Sequence, residues 1–279
     1  MNNFAVQIID DVLVFNLLNS SKKLKLKFLK KLGLPESKKI ESSKDLLHQY
    51  ACFLQTKHLK DVTQDTIIPK CSNFNSVIVE NRVLPHTESI IRNTIHKLDD
   101  YWSHTLVCEK KSYEKMLNFC KNINKNINVI TVEIDHISKD LYSKLLLSKD
   151  FWNLFQSEHL LIYQEDSIIF KKGIEDFLEY DYIGAPWLPG QAGNLKVGNG
   201  GFSLRKKSAM LKCLEDKNPQ ADSIPEDVFF SQTLINSNWG NIANLEIAKN
   251  FSQERVPTKN PLGGHQYWLA KMPFKLLIK

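Results

Sequence analysis

A chain of 279 residues with 42% hydrophobic and 24% charged content can bury a full core and has the composition of an ordinary globular protein, which excludes a disordered or fibrous class. The net charge of +6, from 37 basic and 31 acidic residues, favours anionic ligands without demanding nucleic acid. No apolar run approaches the roughly eighteen residues of a membrane span, and Asp10 and Asp11 break the apolar N-terminal stretch that a classical secretion signal would need.

Residues 1–70 differ in pattern from the remainder of the chain. Phe4 to Leu18 is apolar with two acidic interruptions and fits helix or hairpin. Ser21 to Lys31 interleaves six lysines with Leu24, Leu26, Phe28 and Leu29, and Gly33 and Pro35 end it. Two accounts suit that segment: a basic amphipathic helix resting on an anionic membrane or a nucleic acid, or a helix with a solvated lysine face packed on the domain. Ser43 is placed to cap a helix over 44–57. The expected organisation is a helical extension or subdomain over 1–70 and a catalytic domain over 71–279.

From residue 75 strands and helices alternate. The β-branched run 76–80 predicts a buried strand, 87–98 a helix, 105–108 a strand, 111–123 a helix and 127–132 a third strand. Residues 139–155 read as one helix and 160–163 as a fourth strand. Helices of this length between strands imply right-handed crossovers and a mostly parallel sheet flanked by helices. Beyond it, 167–170 predicts a short strand, 173–178 a helical turn, 202–205 a strand and 206–214 a helix. Pro225 is suited to open another helix with Glu226 and Asp227 in its first turn. The tail around Pro261-Leu262-Gly263-Gly264-His265 reads as a loop whose histidine is free to fold back.

Ligands of such sheets bind beyond the carboxyl ends of the strands. Glu80, Cys108 and Glu165-Asp166 fall at those ends. Glu165-Asp166 suits a hard divalent cation, Mn²⁺ or Mg²⁺, whose remaining positions a diphosphate would fill; an exposed turn is the plainer account. The Gly198-x-Gly200-Gly201 run lacks the spacing of a dinucleotide fingerprint. It suits close approach of a ligand to the backbone, with Asn199 as a polar contact, or a simple hairpin turn. Glu226 and Asp227 are candidates for a general base or for a well-charged helix start, and His265 for a metal ligand or an exposed loop histidine. Glu80 and Arg82 face a nucleotide or form a surface ion pair. Five scattered cysteines, with no C-x-x-C pair, argue for reduced thiols in an intracellular compartment.

Several stretches occur together in one order: Val77-Ile78-Val79-Glu80-Asn81-Arg82, Leu161 to Ser167, Asp181-Tyr182-Ile183-Gly184-Ala185-Pro186-Trp187, Asn199-Gly200-Gly201-Phe202-Ser203-Leu204-Arg205, Pro225-Glu226-Asp227-Val228-Phe229-Phe230, and Phe251-Ser252-x-Glu254 followed by Gly264-His265-x-x-Trp268. Over residues 75–270 this set resembles a poorly characterised GT-A-like glycosyltransferase family of large DNA viruses, bacteria and fungi. The resemblance implies a Rossmann-type GT-A fold and a divalent metal. It implies transfer of a sugar from a nucleoside diphosphate, a UDP-sugar first, to a hydroxyl acceptor such as a glycan. The usual Asp-x-Asp metal motif reads Gln164-Glu165-Asp166 here, with no aspartate at its first position. On this resemblance Asp166 and His265 are the metal ligands, and Asp227, with Glu226 beside it, is the base. Glu80, Arg82, Cys108, Gln164, Glu165, Asp181, Asn199, Gly200 and Gly201 line the nucleotide sugar. A nucleotidyltransferase acting on a sugar phosphate and a non-catalytic sugar-binding module are the competing readings. Nucleic acid is not an expected partner; peripheral membrane contact through residues 22–31 is. The expected location is the cytoplasm, the host's if the source is viral.

Overall fold

The computed structural model describes residues 48, 52, 58–84, 86–134, 138–217 and 224–270. The lysine-rich 22–31 segment, the 4–18 stretch and most of the expected 44–57 helix lie outside the described residues. Among the described residues no helix is long and apolar enough to cross a membrane.

Strands β1 (Phe74–Val79), β2 (Ser103–Glu109), β3 (Asn128–Val132) and β4 (His159–Tyr163) are mutually parallel. A short strand, β5 (Ser167–Ile169), leaves this group. Strands β6 (Tyr182–Pro186) and β7 (Val197–Lys206) return to it as antiparallel neighbours at one side. The central sheet has six strands in the order β3-β2-β1-β4-β7-β6. The fold is therefore α/β with a mostly parallel central sheet flanked by helices, as the alternating pattern predicts.

Both faces of the sheet are covered, so successive residues of one strand enter different cores. Ile78, Leu106, Leu161 and Phe202 join one hydrophobic cluster; Val77, Val107, Leu160 and Ile162 join the other. The first is covered by the Thr87–Lys97 and Tyr113–Ile123 helices, the second by the Lys139–Leu146, Lys207–Asp216 and Glu226–Asn236 helices. Cys52 and Ile68, from the expected extension, lie in the first cluster. The expected helix over 139–155 is two helices. Ser148 accepts a hydrogen bond from the Asp150 amide at 3.1 Å and starts Lys149–Asn153 anew.

Two further strands, β8 (Ser252–Gln253) and β9 (Gly263–His265), form a second sheet with β5 in the order β5-β9-β8. β5 follows Asp166 directly, and β9 runs antiparallel to it with His265 opposite Ser167. The tail expected as a loop is thus a strand at this point. Its glycines are required by crowding: a Cβ on Gly263 would stand 2.7 Å from the Ile168 carbonyl oxygen, and one on Gly264 2.7 Å from that of Gln253. Pairing of β5 with β9 brings His265 to the end of β4, from which it is far removed in sequence.

Candidate active site

Four parallel strands end on one rim. β1 delivers Glu80 and Arg82, β2 delivers Glu109, and β4 delivers Gln164, Glu165 and Asp166. β7 runs the other way, so its beginning, Val197 to Gly201, lies on the same rim. The Gln164 amide donates to the Gly201 carbonyl at 3.0 Å, which joins the acidic turn to the glycine run.

Glu80 is buried and accepts from the Arg82 Nε and the Arg82 amide, each at 2.8 Å, and its other oxygen takes the Arg82 Nη2 at 2.8 Å. Arg82 also reaches Glu165 at 3.3 Å. Glu80 first, and Glu165 after it, raise its already high pKa further against the cost of burial. The Glu165 carboxylate is held on its other side by the buried ring of His86. Its carbonyl oxygen is 3.2 Å from Nε2 of His48, whose Nδ1 is 2.9 Å from the Tyr267 hydroxyl. Burial first, then the neighbouring His86, pushes His48 down to about 3, so that ring is neutral.

Asp166 is pinned from the small sheet. Gln266, the one described non-glycine residue with positive φ (43°), donates its amide to the Asp166 carbonyl at 3.0 Å and its side chain to Oδ2 at 2.8 Å. Two hydrogen bonds to one residue hold Gln266 in that uncommon conformation. The other oxygen, Oδ1, is 3.1 Å from Nε2 of His265, and Nδ1 of His265 is 3.7 Å from Glu254. Burial alone would raise the Asp166 carboxyl. His265 and the Gln266 side chain outweigh it and hold the carboxyl well below the usual range. Burial opposes charge on His265 too, yet Asp166 and Glu254 lift it to about 10. Asp166 Oδ1 and both His265 ring nitrogens are buried and have, among the described residues, no hydrogen-bond partner beyond these ion-pair contacts. Unmatched buried polar atoms call for a ligand or ion.

On the far side of the glycine run stands Asp227. Its Oδ2 accepts from the Gly200 amide at 3.1 Å and its Oδ1 from the Val228 amide at 2.8 Å. Burial, then the charge of Glu226, raises its carboxyl to about 6, against the pull of the Gly200 amide and Arg205. Glu226 itself is buried and bound through both oxygens to Arg205, at 2.5 and 3.1 Å. Consecutive residues of a strand point to opposite faces. A Cβ on Gly200 would lie 3.0 Å from Asp227 Cβ, and one on Gly201 would lie 2.3 Å from the His265 ring. The two glycines therefore separate Asp227 from the Asp166–His265 pair by the width of a bare backbone. Asn199 supports the turn by accepting from the Gly201 amide at 3.2 Å.

Two expected residues are corrected. Asp181 precedes β6, whose Tyr182 pairs with Arg205, so it sits at the opposite edge of the sheet. There it binds Lys206 at 3.1 Å and accepts from the Asn241 amide at 2.8 Å. Cys108 is one residue short of the rim. The strand alternation turns it into the apolar cluster with Met116 and Cys120, and burial pushes its thiol up to about 11. Glu109, the next residue, is the one that reaches the rim; its amide donates to Asn81 Oδ1 at 2.7 Å. Reading the strand one residue longer would have found it. His48, His86 and Gln266 carry no such signal, because their partners lie up to 117 positions away along the chain. Glu254 stands in the Phe251-Ser252-x-Glu254 stretch, but only the pairing of β8 with β9 sets it beside His265.

Among the described residues no three His, Cys, Asp or Glu side chains converge as a metal cage. A family model described as "Protein of unknown function (DUF5672)" matches residues 126–265, half of the chain. No curated protein matches it. Among solved structures the chain is similar to the apo-form glycosyltransferase GlyE of Streptococcus pneumoniae TIGR4, at 10% identity and a TM-score of 0.43. That alignment covers 74% of this chain and 62% of GlyE, so the chain spans less than two thirds of that protein's length. Mouse xyloside xylosyltransferase 1, apo form, aligns at 11% identity and a TM-score of 0.46, over 69% of this chain and 96% of that one.

Proposed function

The chain belongs to the family described as a protein of unknown function, DUF5672, and we propose that it is a glycosyltransferase. It moves a sugar from a nucleoside diphosphate to a hydroxyl acceptor. The observation that carries this reading is the pair Gly200-Gly201, with a carboxylate that titrates near neutrality on one side and the Asp166–His265 pair on the other.

Asp227 is the base. Its raised pKa suits it to accept a proton close to physiological pH, and its Oδ2 is already oriented by the Gly200 amide. As the acceptor oxygen bonds to the anomeric carbon, the bond from that carbon to the diphosphate oxygen breaks and the acceptor proton passes to Asp227. The bare backbone of Gly200 and Gly201 lets Asp227 and the His265 ring close on the strand from its two sides. Arg82, with its side chain half-exposed between Glu80 and Glu165, is a cation on this rim available to the nucleotide.

A divalent cation, Mn²⁺ or Mg²⁺, fits at Asp166 and His265. Oδ1 and Nε2 stand 3.1 Å apart with no other hydrogen-bond partner among the described residues, so these two atoms would hold the cation. When bound it would neutralise charge on the departing diphosphate, whose oxygens and water would complete its shell. His265 must then give up the proton that Asp166 and Glu254 favour.

The test is a panel of UDP-, GDP- and dTDP-sugars with and without Mn²⁺, read by thermal shift and by product. A matching donor raises the melting temperature by mass action, and turnover releases a nucleoside diphosphate. Release of pyrophosphate from a sugar phosphate and a nucleoside triphosphate would replace this reading with nucleotidyl transfer. Binding with no turnover across acceptors would make the protein a sugar-binding module.

A further inference from the structure

One of the two fully enclosed arginines among the described residues touches neither sugar nor metal in the proposed reaction. Arg205 is 0% exposed and lies on β7, four residues after Gly201. Its guanidinium binds Glu226 through two nitrogens at 2.5 and 3.1 Å. Its Nε donates to Ser203 Oγ at 2.9 Å, and Ser203 Oγ donates in turn to the Gly200 carbonyl at 3.2 Å. The rings of Tyr182, Phe230 and Trp152 stand 4.6, 5.7 and 5.9 Å from its central carbon.

We infer that Arg205 is a positioning residue for Asp227, acting through Glu226 on the helix side and through Ser203 and the Gly200 peptide on the strand side. The two arms close a ring: Arg205 holds Glu226, Glu226 precedes Asp227, Asp227 accepts from the Gly200 amide, and Ser203 returns from the Gly200 carbonyl to Arg205. A planar fork held against three aromatic rings fixes direction as well as charge, which a lysine ammonium does not. A buried ion pair is weak evidence for stability, because its desolvation cost rivals its attraction, and fixing a local arrangement is a use that offsets that cost. The charged and titratable groups facing Asp227 are Glu226 on its own helix, Arg205 on β7, Tyr182 on β6 and Tyr142 on the Lys139–Leu146 helix. Glu226 and Arg205 act on Asp227 in opposite directions, so removing each has an opposite consequence.

This inference rests on the reading of Asp227 as base, and its test has one arm that does not. The Asp227 carboxyl is titrated by ¹³C NMR in full-length parent, R205K, R205Q, E226Q, S203A and R205Q/E226Q proteins, and turnover is measured with the matching donor. R205Q is expected to move the Asp227 midpoint up and E226Q to move it down. R205K keeps the charge and loses the fork: its midpoint stays near the parent's while kcat falls at least tenfold, with donor KM within about twofold. S203A cuts only the strand-side arm and lowers kcat severalfold, again with KM held. If R205Q does not fold, the neutral amide pair R205Q/E226Q and S203A carry the comparison, both with kcat reduced and KM held. Identical Asp227 midpoints in the single variants, or R205K turning over like the parent, would overturn the inference. Absence of sugar transfer by the parent, with the opposed midpoints still observed, would sink the base assignment and leave the clamp standing.

Discussion

The site holds two Glu-Asp pairs, Glu165-Asp166 after β4 and Glu226-Asp227 at a helix start, and they are built alike but tuned apart. In each the glutamate is engaged by a basic side chain: Glu165 by His86 and Arg82, Glu226 by Arg205. Asp227 accepts from the Gly200 amide, whereas Asp166 reaches the glycine run only through His265, whose ring stands against Gly201. Yet Asp166 is held below the ordinary carboxylate range and Asp227 is raised to about 6. Burial raises both. The difference is the second neighbour, a histidine cation for Asp166 and a carboxylate for Asp227. One dipeptide composition thus yields a permanent anion suited to a cation and a group that takes up a proton near neutrality.

The largest expected effect separates the two aspartates by activity. Asp227→Asn should cut turnover by roughly 10²–10⁴-fold while donor binding, read by thermal shift, stays within a few-fold. Asp166→Asn should do the reverse: the rise in melting temperature from Mn²⁺ plus nucleoside diphosphate disappears. Equal loss of binding in both variants would erase the distinction.

A smaller effect tests the backbone between them. Gly201→Ala drives a methyl into the His265 ring and should destabilise by roughly 1–3 kcal/mol in chemical denaturation, with the Asp227 titration unmoved. Gly200→Ala crowds Glu226, Arg205 and Asp227 instead, and should shift that titration.

The pH dependence gives the finest comparison. Turnover should rise with pH through about 6 as Asp227 loses its proton. Stability runs the other way. The folded pKa of Asp227 lies above the unfolded value of about 3.9, so its contribution is complete below that value and lost as pH rises through about 6. Asp166 is depressed, so its contribution is present above about pH 4 and lost as pH falls further. Melting curves of Asp227→Asn should lack the step near pH 6, and those of Asp166→Asn should flatten on the acid side.

Much of the architecture was legible in the residues. Alternating β-branched runs and helix-spaced runs from Phe74 to Tyr163 mark four strands and their crossovers, since side-chain period is a local property. Pro225 and the acids after it mark a helix start. Glu165-Asp166 and Gly200-Gly201 stand out because carboxylates at a strand end and paired glycines each have few structural uses. Asp181 and Cys108 failed for a definite reason. A side chain's place depends on which end of the strand it occupies and which face it takes, and one residue of register reverses the face. His48 and His86 were invisible because nothing adjacent to them signals their partners; Glu254 stood in a quoted stretch, but its place beside His265 needed the second sheet.

The chain by itself therefore determined the layered architecture and which acids stand at the carboxyl ends of its strands, both of which come from short-range pattern. Only the tertiary structure decided that β9 folds back to set His265 on Asp166, that Arg205 is locked to Glu226, and that Asp227 is left to titrate. Those outcomes depend on burial and on charges brought together across the sheet, and proton affinity answers to such neighbours however far away they stand along the chain.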